Sequence, residues 1–165
     1  MIIGNGDIAS ILVDREGVIF FASGVSNSME IKDSEYKREF DLLSKQNKNK
    51  CIFYFSSITI DNKEKFEVSK YLQHKKQMED YIKNNFENYN IIRIGNISWG
   101  KNPNTFINNI KNKIKNNEPI HISDEYRFVI EKEELLLLTN NLPTSGQNQI
   151  SVFGKMAKVK DFIKL

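Results

Sequence analysis

At 165 residues with 39% hydrophobic content, the chain is long enough for one domain with a proper core and short for two. Its basic and acidic residues are interspersed and leave a formal charge of only +3, which argues against a nucleic-acid partner. A lone cysteine, Cys51, and no apolar run of membrane-spanning length exclude an internal disulfide framework, a cysteine metal site and a membrane span. With no signal-peptide pattern at its start, the expected location is cytoplasmic, and no metal site is expected.

In chain order, Met1-Ile2-Ile3 reads as the end of a buried strand and runs into Gly4-Asn5-Gly6-Asp7-Ile8-Ala9, a match to G-x-G-x-x-A. Glycines at the first two positions allow a tight turn and close approach to a pyrophosphate, and the small Ala9 lets a following helix, expected over 7–14, pack near the strand. Val18-Ile19-Phe20-Phe21 is the next strand, over 18–22, and it leads into the small residues Ala22-Ser23-Gly24. A helix is expected over 33–46. The run Cys51-Ile52-Phe53-Tyr54-Phe55 predicts a strand buried on both faces, over 51–56, which breaks at Ser56-Ser57. After a polar connection, Leu72, Met78, Ile82 and Phe86 form the apolar stripe of a helix over 69–85, on which Tyr71 and Lys75, four residues apart, share a face. Ile91-Ile92-Arg93-Ile94 is a further buried strand. Pro103 punctuates a loop before an amphipathic helix over 104–116, with Phe106, Ile107, Ile110 and Ile114 inward and a basic, solvated face outward. Glu133 and Glu134 suit the start of another helix.

Strands alternating with helices predict an α/β fold: a Rossmann-like parallel sheet flanked by helices, one domain over 1–165, with 119–165 a small substrate-side cap. Gly4, Ala22, Ser57 and Asn96 then lie at strand C-terminal ends along one edge, where open α/β sheets bind ligands. A phenol of ordinary pKa, about 10, exchanges protons poorly near neutrality, and a neighbouring ammonium favours its ionised form. Tyr71 beside Lys75, with the Ser57 hydroxyl to hold the same substrate oxygen, would move a proton on or off a carbinol. His74, within that helix turn, is read as a helix-surface residue.

In these pieces the chain resembles the short-chain dehydrogenase/reductase superfamily, specifically its extended branch of NAD-dependent sugar-nucleotide epimerases, dehydratases and reductases. The resemblance rests on the glycine-rich turn, on Phe21-Ala22-Ser23-Gly24, on Ser57 three residues before Ile60, on Tyr71 and Lys75, on Arg93-Ile94-Gly95-Asn96, on Arg127 to Leu135 and on the terminal strand and turn Ile150–Gly154. It implies Ser57, Tyr71 and Lys75 as catalytic residues. It implies Gly4, Gly6, Ala9, Ala22, Ser23, Gly24 and Lys75 at NAD or NADP, with NAD slightly preferred, and Asn96 and Arg127 at the diphosphate of a nucleotide-sugar. A homodimer through residues near 33–46 and 69–85 is implied as well. The chain departs from the family in length, chiefly between Ala9 and Val18, where the adenosine-side elements belong, and after Asn96. No acidic residue stands where one selects NAD through the ribose, Arg15 is the candidate partner for a 2'-phosphate, and Glu39 stands where many members place an active-site asparagine. Those losses leave open a non-catalytic dinucleotide-binding module, a redox sensor or partner subunit, and, more weakly, an interaction domain.

Overall fold

The structure is a computed structural model that describes residues 1–120 and 126–162. Strand β1 (Ile2–Ile3) is followed by a single 3-10 turn at Ala9–Ile11 and then by β2 (Val18–Phe21). Helix α1 (Asp33–Ser44) leads to β3 (Cys51–Ser57), a second 3-10 turn at Ile58–Asp61, α2 (Lys63–Val68), α3 (Lys70–Asn85) and β4 (Tyr89–Ile94). Beyond these come β5 (Asn96–Ile97), α4 (Phe106–Lys115), β6 (Tyr126–Ile130), α5 (Lys132–Asn141), β7 (Gln147–Val152) and β8 (Lys155–Lys158).

Five strands form one parallel sheet in the order β1-β2-β3-β4-β7. The runs of β2, β3 and β4 are mostly apolar because both of their faces are covered. Alternation along each strand sends Ile19, Phe21, Ile52, Tyr54 and Ile91 to one face, where Leu43 of α1 and Met78 and Ile82 of α3 meet them. The intervening Val18, Phe20, Cys51, Phe53, Phe55 and Ile92 pack on the other face with Ile11, Leu12 and Leu135 of α5. Each large apolar side chain withdrawn from water in this way contributes roughly 1.5–3 kcal/mol. A smaller sheet, β5-β6-β8, pairs β6 parallel to β5 and antiparallel to β8. Helix α4 covers it through Ile107 and Ile110, against Val129 and Val159.

Three expectations are corrected. The helix expected over 7–14 is only the turn Ala9–Ile11: the Ser10 hydroxyl donates to the Asp7 carbonyl at 2.7 Å, the Trp99 indole donates to the same carbonyl at 3.1 Å, and Leu12 is already extended. The polar connection before Tyr71 contains α2, started by the Asn62 side chain accepting from the Lys65 N–H at 3.0 Å, and Ser69 then caps α3. Residues from 119 onward are divided between the two sheets, because β7 joins the main sheet beside β4 while β6 and β8 build the small one; residues 121–125 lie outside the described residues. The polar sequence of β7 fits an edge position, where Asn148 donates to the Asn90 side chain at 3.0 Å.

Arg93 ties α3 to the sheet. Its guanidinium meets the Glu79 carboxylate through two bonds, at 2.8 and 2.6 Å, and Asp61 through a third at 2.6 Å. Glu79 is fully buried, so removing only the cation strands a charge in the interior. Arg93→Met is expected to lower unfolding free energy in urea by about 3–5 kcal/mol, whereas Arg93→Met with Glu79→Leu recovers most of that loss.

Candidate functional site at the sheet edge

Parallel strands place all their C-terminal ends on one edge, and a crossover helix begins near the end of the strand that feeds it. The first two turns of α3, carrying Tyr71, His74 and Lys75, therefore start at the edge where β3 ends in Ser57. A continuous line of contacts follows that edge. Gly4, at φ +123°, lies so close to β2 that a Cβ would collide with the Ala22 carbonyl and approach the Ser23 nitrogen at 2.9 Å. A Cβ on Gly24 would stand 2.5 Å from the Lys75 ammonium. That ammonium lies 5.8 Å from the centre of the Tyr71 ring and 5.0 Å from that of Tyr54.

Lys75 is 3% exposed, and its counter-charge is Glu39 of α1, which is 0% exposed. Glu39 Oε1 accepts from Lys75 Nζ at 3.2 Å and from the Tyr54 hydroxyl at 2.9 Å. Its Oε2 accepts from the Val25 N–H at 2.7 Å and faces His74 Nε2 at 3.1 Å, so that nitrogen carries the hydrogen. His74 is thus no surface residue: it is 8% exposed, with its ring against Tyr36, because the helix face it shares with Lys75 is turned toward α1. Burial alone would raise the Glu39 carboxyl, but Lys75, His74 and the Val25 N–H outweigh it and hold the pKa at about 2. Burial pushes the Tyr71 phenol above 10; Lys75 pulls it down and Glu39 pushes it up, with a net rise. Tyr54, buried and bonded to Glu39, is pushed up further.

The remaining sequence candidates have partners of their own. Ser57 ends β3 and accepts from the Thr59 N–H at 3.2 Å. Ser23 receives Arg38 Nη1 at its hydroxyl, 3.1 Å, and at its carbonyl, 3.2 Å. Ala9 is buried in the 3-10 turn, and the space above Gly6 is open. Asn96 donates to the Phe128 carbonyl at 3.1 Å and so joins β5 to β6, while the Arg127 guanidinium lies 5.0 Å from the centre of the Phe106 ring. Arg15 donates to the Thr139 and Leu142 carbonyls at the end of α5, where a cation complements the helix dipole. Sequence reasoning did not find Tyr54 or Asp7. Strand alternation puts Tyr54 on the α1/α3 face. Asp7 is an acid inside a phosphate-type turn.

The glycine-rich turn is closed against the loop that follows β5. Both Asp7 carboxylate oxygens accept backbone N–H groups, from Lys101 at 2.9 Å and Asn102 at 3.1 Å, and Gly100, at φ +102°, has no room for a Cβ beside that carboxylate. Asn5, Gly6, Asp7, Trp99, Lys101 and Lys132 line a cleft of about 500 Å³ here. A second groove, of about 550 Å³, lies between α1 and α3, with Phe40 and Tyr81 in edge contact on its wall. Among the described residues no cluster of His, Cys, Asp or Glu could hold a metal, and no helix is long and apolar enough to cross a membrane.

The depressed Glu39 pKa has a consequence for stability. A carboxyl lowered from 4.5 to about 2 on folding contributes stability that is complete above pH 4.5 and lost as pH falls through 2, roughly 3 kcal/mol in all. Urea titrations between pH 6 and about 2 are expected to show this acid-side loss in the native chain and a clearly smaller one in Glu39→Gln.

No protein-family model matches the chain, and no curated protein matches it in sequence. Solved structures do match its fold. A dTDP-4-dehydrorhamnose reductase from Bacillus anthracis, in complex with NADP, superposes with a TM-score of 0.68 at 18% identity over 90% of this chain and 60% of its own. A UDP-glucose 4-epimerase from Thermotoga maritima, with UDP-glucose, gives 0.67 at 16% identity, over 90% and 59%. A UDP-N-acetylglucosamine 4-epimerase from Methanobrevibacter ruminantium gives 0.62 at 18% identity, over 97% and 62%. The chain therefore spans about three fifths of the length of these structures. The five-stranded parallel sheet, its flanking helices and these superpositions give the chain a Rossmann-like α/β fold, the fold it shares with these reductase and epimerase structures.

Proposed function

We propose that the chain acts on a nucleotide-sugar as an NAD(P)-dependent epimerase, dehydratase or reductase of polysaccharide biosynthesis. The observation that carries this reading is the unbroken line along the sheet edge from Gly4 through Ala22, Ser23 and Gly24 to Lys75 and the Tyr71 ring. Tyr71 exchanges a proton with the reacting sugar oxygen, Ser57 holds that oxygen, and Lys75 supplies positive charge beside the phenol. The open space above Gly6 fits a nicotinamide dinucleotide, which Gly4, Gly6, Ala9, Ala22, Ser23, Gly24 and Lys75 would hold. When bound, that group supplies the hydride acceptor or donor. With Arg15 engaged at the end of α5, NAD is the better supported form. Asn96 keeps hydrogen-bonding capacity beyond its bond to Phe128, and with Arg127 it would meet the substrate diphosphate. The groove between α1 and α3, with Phe40 on its wall, supports a homodimer through those helices.

A second reading, a non-catalytic dinucleotide-binding module, is favoured by the stretch between β1 and β2, which holds only the 3-10 turn Ala9–Ile11 where strand-helix units for an adenosine half would stand.

Thermal-shift screening of nucleotide-sugars, with and without NAD or NADP, is expected to find a sugar whose stabilising effect depends on the dinucleotide. On the substrate so found, Tyr71→Phe is expected to lower kcat by about 10²–10⁴, and full turnover in that variant refutes the chemistry. Calorimetry separates the second reading, which requires dinucleotide binding with no nucleotide-sugar promoting turnover. Asp7→Ala is expected to tighten NAD binding by about two orders of magnitude. Sedimentation is expected to give a dimer that Phe40→Glu converts to monomer.

A further inference from the structure

We infer that Glu39 is a positioning residue of this site: its buried carboxylate fixes the Lys75 ammonium against Gly24 and cancels most of the charge that Lys75 would otherwise present to Tyr71. The inference rests on the proposed roles of Tyr71 and Lys75, but it concerns the resting protein and is measured without substrate.

Two carboxylate oxygens offer about four acceptor positions. In Glu39 four donors from three parts of the fold face them: the Val25 N–H of the loop after β2, the Tyr54 hydroxyl of β3, and His74 and Lys75 of α3. A carboxylate held from so many directions has no alternative rotamer, and it holds its cation equally firmly. Gly24 completes the seat, since a Cβ there would stand 2.5 Å from Lys75 Nζ and 3.1 Å from Glu39 Oε1. Seen from the phenol, the ammonium and carboxylate, 3.2 Å apart, act as a short dipole whose field is much weaker than that of a lone cation. The other ionisable groups around the pair are Tyr36 of α1, Tyr54 of β3 and His74 of α3; Tyr36 and Tyr54 are both pushed toward their neutral forms, chiefly by burial. The net rise at Tyr71, with Lys75 and Glu39 acting in opposite directions, agrees with this arrangement. If Glu39 served only to join α1 to α3, altering its charge would change stability and leave Tyr71 untouched.

The test is a titration of Tyr71 by carbon NMR in protein labelled at the tyrosine ring, with the resonance assigned by its loss in Tyr71→Phe. Glu39→Gln, which keeps the shape and removes the charge, is expected to lower the Tyr71 midpoint by about one pH unit, a tenfold rise in its acid constant. Lys75→Met is expected to raise it by a similar amount, and the double variant to return it near the native value. Unchanged midpoints in the single variants overturn the inference. Should Glu39→Gln alone fail to fold, the comparison of Lys75→Met with the double variant decides, because only the Glu39 charge differs between them: a lower Tyr71 midpoint in the double variant supports the inference, and equal midpoints overturn it. Tyr71→Phe retaining full turnover would refute the proposed chemistry while leaving these titrations as they stand, so the two failures are distinguishable.

Discussion

The parallel alignment of the main sheet is the constraint on which the other features depend. Parallel neighbours cannot be joined by a tight turn, so each strand must be left by a crossover and re-entered from the opposite end. That forces every strand to finish on the same edge, and it brings Gly4, Ala22 and Ser57, which are far apart in sequence, into one row. It also buries both faces, which is why Ile19, Phe21, Ile52 and Tyr54 need α1 and α3 on one side while Phe20, Phe53 and Ile92 need α5 and the Ala9–Ile11 turn on the other. The helices held there by apolar contact are the ones that carry the polar groups of the site.

Burial sets the second condition. Once α1 and α3 are pressed onto the sheet, any charge between them must be paired or lost. The chain meets this twice, by pairing Lys75 with Glu39 and Arg93 with Glu79, with all four residues almost entirely withdrawn from solvent. The two pairs differ in what surrounds them. Arg93 makes a planar fork with Glu79 and reaches Asp61, a geometry suited to locking an element in place. Lys75 is a compact cation seated on bare backbone at Gly24 and close to two tyrosine rings, where its charge reaches groups able to exchange protons. The same physics makes one pair a strut and puts the other within reach of chemistry.

Much of this was legible in sequence. Long β-rich runs bounded by turn residues located β2, β3 and β4, and the i, i+4 spacing put Tyr71 and Lys75 on one helix face because nothing in α3 interrupts that periodicity. What was not legible depended on contacts between distant segments. His74 looks like a surface residue when its helix is considered alone and is buried only because α1 lies against it. The stretch after Gly6 has the residues of a helix start, yet the carbonyl of Asp7 is claimed by Trp99, 92 residues away. The end of β7, residues 150–152, reads as a strand in the sequence, but its polar start, residues 147–149, is strand only because β4 offers an unpaired edge. In each case a tertiary partner overrode the local pattern.

The strand order adds a last step. In doubly wound sheets the dinucleotide crosses a crevice made where the order reverses. Here, among the described residues, the order β1-β2-β3-β4-β7 follows the chain without reversal, and the glycine-rich turn lies at one end of the sheet, with β1 as the edge strand. The second wall for that turn comes from the loop after β5, through Gly100, Lys101 and Asn102 against Asp7. A phosphate entering there must displace a carboxylate from two backbone amides. Charge-assisted bonds are worth about 1.5–3 kcal/mol each when protected, and these are largely open to water, so the low end applies. The penalty is then a few kcal/mol, enough to weaken binding by about two orders of magnitude and still within what a dinucleotide's other contacts can offset. Toward the other end of the edge the charge is already matched inside the fold, since Lys75 is 3% exposed and paired with Glu39.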